Sequence, residues 1–290
     1  MNSRITATLT LVSALVVLGF GGAVTTTAQA PRADVTDSLR ASSPGSLASP
    51  GGGQNSIALL SGGAETTQAK HPPSDATPAN IQGSAGTMKD FLDFVITDVD
   101  AYWSGVWEDA GRPEPQVTYA FPAAGEVLPS QCGGPTDDLS AFYCPPDDEI
   151  IVSQSVAVQI WDGTIVTNPD GNMQHKTGDF SVAYVVAHEY AHSLQAELGI
   201  LRPNVLVYPT VNTELHADCW AGVWANSADY EGILDRGDIE EAVQTTLDLG
   251  DYAIDDPLHH GTPAQRSEAF LTGYDSGIPD DCEPYLLDHY

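Results

Sequence analysis

The sequence predicts an α+β fold, with a few strands early and mostly helices afterwards, and three observations carry that expectation. Apolar residues recur at helical spacing from Thr87 to Ala110. Short alternating or β-branched runs lie between Val117 and Trp161. From Asp179 onward, helical patterns with recognisable start and stop residues follow one another. Runs of strands followed by runs of helices argue against a repeating βαβ sheet and for one domain with its strands grouped together.

The segments that precede this domain read differently. Arg4 stands ahead of an apolar run from Leu9 to Phe20, and Ala28-Gln29-Ala30 has the small-x-small form of a cleavage site, so residues 1–30 read as a signal peptide. The run is shorter than the roughly 20 apolar residues that span a bilayer, and no later segment is long and apolar enough to do so, which argues against membrane insertion of the mature chain. Residues 31–85 are dominated by Ser, Gly, Pro, Ala and Thr, with too little apolar surface to offset chain entropy, and are expected to form a disordered tether. Residues 86–290 remain for the folded domain, ample for a real core.

With 40 acidic and 10 basic side chains the formal net charge is -30. The tether nearly balances, holding Arg32, Arg40 and Lys70 against Asp34, Asp37, Glu65 and Asp75, so the negative charge belongs to the folded part. Such a surface repels phosphate backbones and anionic lipid and argues against nucleic-acid or membrane partners. Solubility explains it more simply than an acidic binding face.

Each element has its own warrant. In the first helix Phe91, Val95, Val99, Tyr102 and Val106 form a stripe that Phe94, Trp103 and Trp107 widen; Thr87 is placed to cap it, and Gly111 with Pro113 to end it. The alternation of Val117, Tyr119 and Phe121 predicts a strand, a second is expected over Glu149–Gln154, and a third over Val156–Trp161. Gly163 and Asn168-Pro169-Asp170-Gly171 supply turns. Between Asp179 and Leu198 apolar residues populate nearly every face, which predicts a helix buried on several sides, with Asp179 capping its start and Gly199 its end. Further helices are expected over Val211–Ser227 and Asp238–Leu249, and a last one from Thr262-Pro263-Ala264-Gln265, where Thr caps, Pro takes the first turn and Gln can close a capping box.

Four cysteines, Cys132, Cys144, Cys219 and Cys282, in an exported chain favour disulfides over a thiolate zinc site, for which no close C-x-x-C pair is present. Of the three pairings that four cysteines allow, Cys132 with Cys144 across a Gly-Gly-Pro turn, and Cys219 with Cys282, is the most natural.

The chemistry lies in the helices. In His188-Glu189-Tyr190-Ala191-His192 the two histidines are four apart, on one helix face, where both imidazoles can reach one ion. Glu189 points aside from that axis and can act on a water without ligating the metal. Glu214 follows 22 residues after His192, on the next predicted helix, and is the candidate third ligand. Two His and one Glu with an open position form a catalytic zinc set, one ion per chain, and Glu189 is then the general base of a peptide hydrolysis. Asp218, four residues beyond Glu214, is placed to accept a hydrogen bond from a ligand imidazole. His260 stands just before the last helix and is a candidate donor to the oxyanion; Tyr190, Tyr252 and Arg266 are weaker candidates for that task. His216 faces elsewhere on its helix, and His71, His175 and His289 have no partner pattern.

These segments resemble the gluzincin arrangement of zinc metallopeptidases, and more specifically the family called putative neutral zinc metallopeptidases. The resemblance rests on Phe142-Tyr143-Cys144-Pro145, Val186 to His192, Glu214 to Gly222, His260-Gly261-Thr262 with Gln265-Arg266, and Thr272-Gly273-Tyr274, in the family's order. Members commonly carry Gly where Ala191 stands, His where Ser193 stands and Gln where His216 stands; none of these changes removes a ligand. The resemblance implies a single zincin-like domain and a peptide or protein substrate, without its specificity. Many members look membrane-anchored at the N-terminus, whereas this chain reads as cleaved and secreted. An edge among the strands between Glu149 and Trp161 is a candidate for holding an extended peptide. The alternatives to a secreted peptidase are a secreted metal-binding or interaction module without turnover and a zinc amidase acting on cell-wall peptide.

Overall fold

A computed structural model describes residues 87–164, 177–203 and 207–287. The signal peptide and tether expected over residues 1–85, the turn at Asn168–Gly171, and His71, His175 and His289 lie outside the described residues.

The first helix, α1 (Met88–Asp109), begins at Thr87, whose hydroxyl accepts from the Asp90 amide, and ends where Gly111 takes a φ of 67°. Its buried stripe runs from Phe91 through Val99 to Trp107. Three short strands follow: β1 (Thr118–Ala120), β2 (Ala141–Cys144) and β3 (Glu149–Val152). They form one sheet in the order β1-β3-β2, with β3 parallel to β1 and antiparallel to β2.

The third expected strand is instead a helix, α2 (Gln154–Trp161). Val156, Val158 and Ile160 imitate a period of two. The buried positions are Val156, Ala157 and Ile160, which is helical spacing, while Val158 is exposed. Ser153 decides the matter locally, since its hydroxyl accepts from the Ser155 amide and caps the new helix. The sheet order corrects a second expectation. β3 is paired on both sides, so the free edges belong to β1 and β2 and not to the segment between Glu149 and Trp161.

The helices that follow are α3 (Asp179–Glu197), α4 (Thr210–Tyr230), α5 (Asp238–Leu249) and α6 (Pro263–Ser276), then a 3₁₀ turn (Pro279–Cys282) and α7 (Pro284–Leu287). Asp179 does not cap α3. Gly178 takes that position, and Asp179 is the first helical residue, buried where its carboxylate meets those of Asp238 and Glu241. Thr262 and Gln265 do close the expected capping box at α6.

α3 and α4 are buried along almost their whole length, as their apolar residues on every face require. Trp103 and Trp107 of α1 pack on Trp220 of α4 at 5.1 and 6.4 Å between ring centroids, and Phe180 of α3 stacks on Trp224 at 5.7 Å. α4 and α6 cross at two glycines. A Cβ on Gly222 would lie 2.0 Å from the Phe270 carbonyl oxygen, and one on Gly273 would lie 1.8 Å from that of Cys219. Disulfides join Cys132 to Cys144 and Cys219 to Cys282, with Cα separations of 5.8 and 5.6 Å. The second ties α4 to the turn after α6 across 63 residues, a closure that stabilises by about 4 kcal/mol in the chain-entropy account. Among the described residues no helix is long and apolar enough to cross a membrane.

Candidate metal centre

α3 presents His188 and His192 one turn apart on its buried side, and α4 lays Glu214 against them. His188 Nε2 lies 3.1 Å from His192 Nε2 and 3.2 Å from Glu214 Oε2, and His192 Nε2 lies 3.4 Å from Glu214 Oε1. Ligand atoms placed tetrahedrally at the usual zinc–nitrogen and zinc–oxygen distances stand about 3.3 Å apart, so the donor set fits such an ion. All three side chains are buried, and together they form a group able to hold a metal. His192 and His188 hold the Glu214 carboxyl well below its ordinary range against the opposition of burial, so it is an anion ready to ligate. Burial also disfavours charge on His188. Asp218 and Glu214 outweigh it and lift His188 to about 9 for the protein side chains alone; a metal at Nε2 would displace that proton.

Glu189 is not one of the converging donors; the backbone N–H of Tyr143 on β2 donates to its Oε2 at 2.7 Å. Glu189 is 4 % exposed, and burial raises its pKa above the ordinary value. The edge of β2 therefore lies beside this carboxylate.

Asp218 meets His188 Nδ1 at 2.8 Å, a close but bent contact. Arg266 of α6 grips Asp218 from behind with two bonds, Nε to Oδ2 at 2.8 Å and Nη2 to Oδ1 at 2.9 Å, and Tyr184 donates its hydroxyl to Oδ1 at 2.5 Å. Burial opposes ionisation of Asp218, and Arg266 overcomes it, lowering the pKa below the carboxylate norm. Arg266 is 1 % exposed and commits its Nε and Nη2 donors to Asp218.

His260 stands in the loop that precedes α6. Gly261, at a φ of 104°, packs on Leu215, the neighbour of Glu214, and a Cβ there would come within 2.9 Å of Leu215 Cδ2. The His260 side chain keeps 29 % exposure and lies close enough to act on the charge of Glu214. Asp251 anchors the loop by accepting from the His260 backbone N–H at 3.0 Å and from His259 Nδ1 at 2.5 Å. Tyr190 points away and donates to Asp100 at 2.8 Å, and Tyr252 is 78 % exposed. His216 packs on Trp220, with 4.1 Å between ring centroids, and burial with the nearby His192 lowers it to about 3, so it stays neutral. Sequence reasoning missed Tyr184, the Arg266 grip, Asp251, and Gln195, whose Oε1 lies 2.9 Å from His192 Nδ1.

A mixed α+β domain with two histidines and a glutamate converging from adjacent buried helices has the form of a zinc metallopeptidase. The chain belongs to the putative neutral zinc metallopeptidase family, whose model matches residues 47–285. It is 29% identical over 214 residues to YpfJ of Escherichia coli K12, a protein described as uncharacterized, which covers 67% of this chain and 70% of that one. It is also 29% identical over 211 residues to an uncharacterized protein, Rv2575, of Mycobacterium tuberculosis H37Rv, covering 64% of this chain and 67% of that one. No solved structure matches the chain significantly.

Proposed function

We propose that this protein is an exported peptidase that hydrolyses peptide bonds, with His188, His192 and Glu214 holding one zinc ion and Glu189 serving as general base. The observation that carries this reading is the mutual spacing of the three donors, 3.1 to 3.4 Å, beside a buried carboxylate that none of them uses. Zinc bound there would polarise the scissile carbonyl and acidify the attacking water. Glu189 takes the proton of that water and delivers it to the leaving amine, a role that its burial and raised pKa suit. His260, partly exposed and held by Asp251, donates to the oxyanion that develops on the carbonyl. Asp218 orients His188.

An extended substrate is held along the outer edge of β2, whose Tyr143 amide already reaches the site. Export is supported by the signal-like residues 1–30 and by two disulfides, which persist in oxidising compartments. Metal analysis of the purified protein with a peptide-library digest tests the reading. One zinc per chain, cleavage, and loss of cleavage with a chelator that zinc restores are expected; a zinc-loaded protein that cleaves nothing in a diverse library would make it a metal-binding module instead.

A further inference from the structure

Gln195 lies three residues beyond His192 on α3, is completely buried, and bridges the two ligand-bearing helices. Its Nε2 is 2.8 Å from the Thr213 carbonyl oxygen and 2.9 Å from His216 Nδ1, while its Oε1 is 2.9 Å from His192 Nδ1. A carbonyl oxygen only accepts, so the atom facing Thr213 must be the amide NH2, and this settles which end of the side chain is oxygen. That oxygen faces His192 Nδ1 and can only accept. His192 therefore carries its proton on Nδ1 and its lone pair on Nε2, the atom that points at His188 and Glu214. The second amide hydrogen goes to His216 Nδ1, and the Trp220 ring against that imidazole holds it in place. Thr213 immediately precedes Glu214, so the same amide sets the approach of α4 to α3 at the level of the ligands.

We infer that Gln195 is a positioning residue for His192, fixing its tautomer and ring plane while Thr213 and His216 on α4 fix the amide itself. The inference rests on the metal-site reading above. Groups that orient ligand imidazoles in this way usually change metal affinity by about 10–100-fold when removed.

Zinc affinity of the full chain, measured by competition against a chromophoric chelator, tests it on the parent, Gln195→Leu and Gln195→Glu. The Leu variant, folded by circular dichroism, should bind zinc about 10–100-fold more weakly. The Glu variant keeps an acceptor for His192 Nδ1 but loses the NH2 that Thr213 and His216 hold, so it should bind zinc more tightly than the Leu variant and more weakly than the parent. A folded Leu variant with parental affinity overturns the inference and leaves the metal reading intact. Where the Leu variant does not fold, imidazole ¹⁵N spectra of the metal-free parent decide: a protonated Nδ1 on neutral His192 supports the inference, and a protonated Nε2 overturns it. A parent that binds no zinc at all overturns the metal reading, and the inference with it.

Discussion

His192 and His260 have different roles in the proposed mechanism, and substitution separates them. His192→Ala removes one of three donors and should abolish stoichiometric zinc binding at micromolar metal. His260→Ala should keep the metal and lower kcat by on the order of 10²–10³, the usual loss for an oxyanion donor; atomic absorption and peptide cleavage together read both. Arg266 gives a third contrast. Its guanidinium is the main counter-charge to the buried Asp218, so Arg266→Met should cost about 3–5 kcal/mol in a urea titration, with Asp218→Asn recovering part of that loss. At this scale the sequence was legible where the spacing was short. Two histidines four apart need only a helix to meet, and Asp218 needs only the helix that carries Glu214. Arg266 reaches Asp218 across 48 residues and Gln195 reaches His216 across 21, so their partners are set by packing and not by pattern.

Elements were legible in the measure that their local signals agreed. The box of Thr262, Pro263 and Gln265 fixed the start of α6, and the start and end of α5 were read to the residue, because caps and breakers act within a turn. The run Val156–Trp161 failed because a short apolar stretch satisfies both periods, and only the Ser153 cap and the burial of Ala157 select the helix. The expected peptide-holding edge failed for another reason: the strand Ala141–Cys144 was not anticipated, and β3 pairs with it on one side and with β1 on the other, a non-local choice that alternation does not encode. The crossing of α4 and α6 offers a test at this scale. With a Cβ on Gly273 set 1.8 Å from the Cys219 carbonyl, Gly273→Ala must push the helices apart, and since α4 also carries Glu214 the strain reaches the site. We expect a loss of at least about 1–3 kcal/mol in chemical denaturation and weaker zinc binding, whereas Ala at Gly125, which has no neighbour within 4 Å but a φ of 75°, should cost less and spare the metal. Equal zinc affinity in Gly273→Ala and the parent would break the proposed link between this crossing and the ligands.

For the molecule as a whole, a buried pair of helices supplies the donors, a small sheet brings a backbone N–H to Glu189, and Asp251 holds the loop that carries His260. The acidic surface, at a net charge of -30, leaves the chemistry to these few buried groups and does not define it. The chain's family membership agrees with the geometry, and turnover at the centre rests on one further side chain. Glu189 decides that point. Glu189→Gln keeps the size of the side chain and an oxygen for the Tyr143 amide, yet cannot take a proton from water. The most direct measurement compares the parent and Glu189→Gln, each loaded with one zinc per chain, on the same peptide library. The account predicts equal metal content and a loss of turnover on the order of 10²–10⁴ in the variant; equal cleavage by both proteins at equal zinc would contradict it.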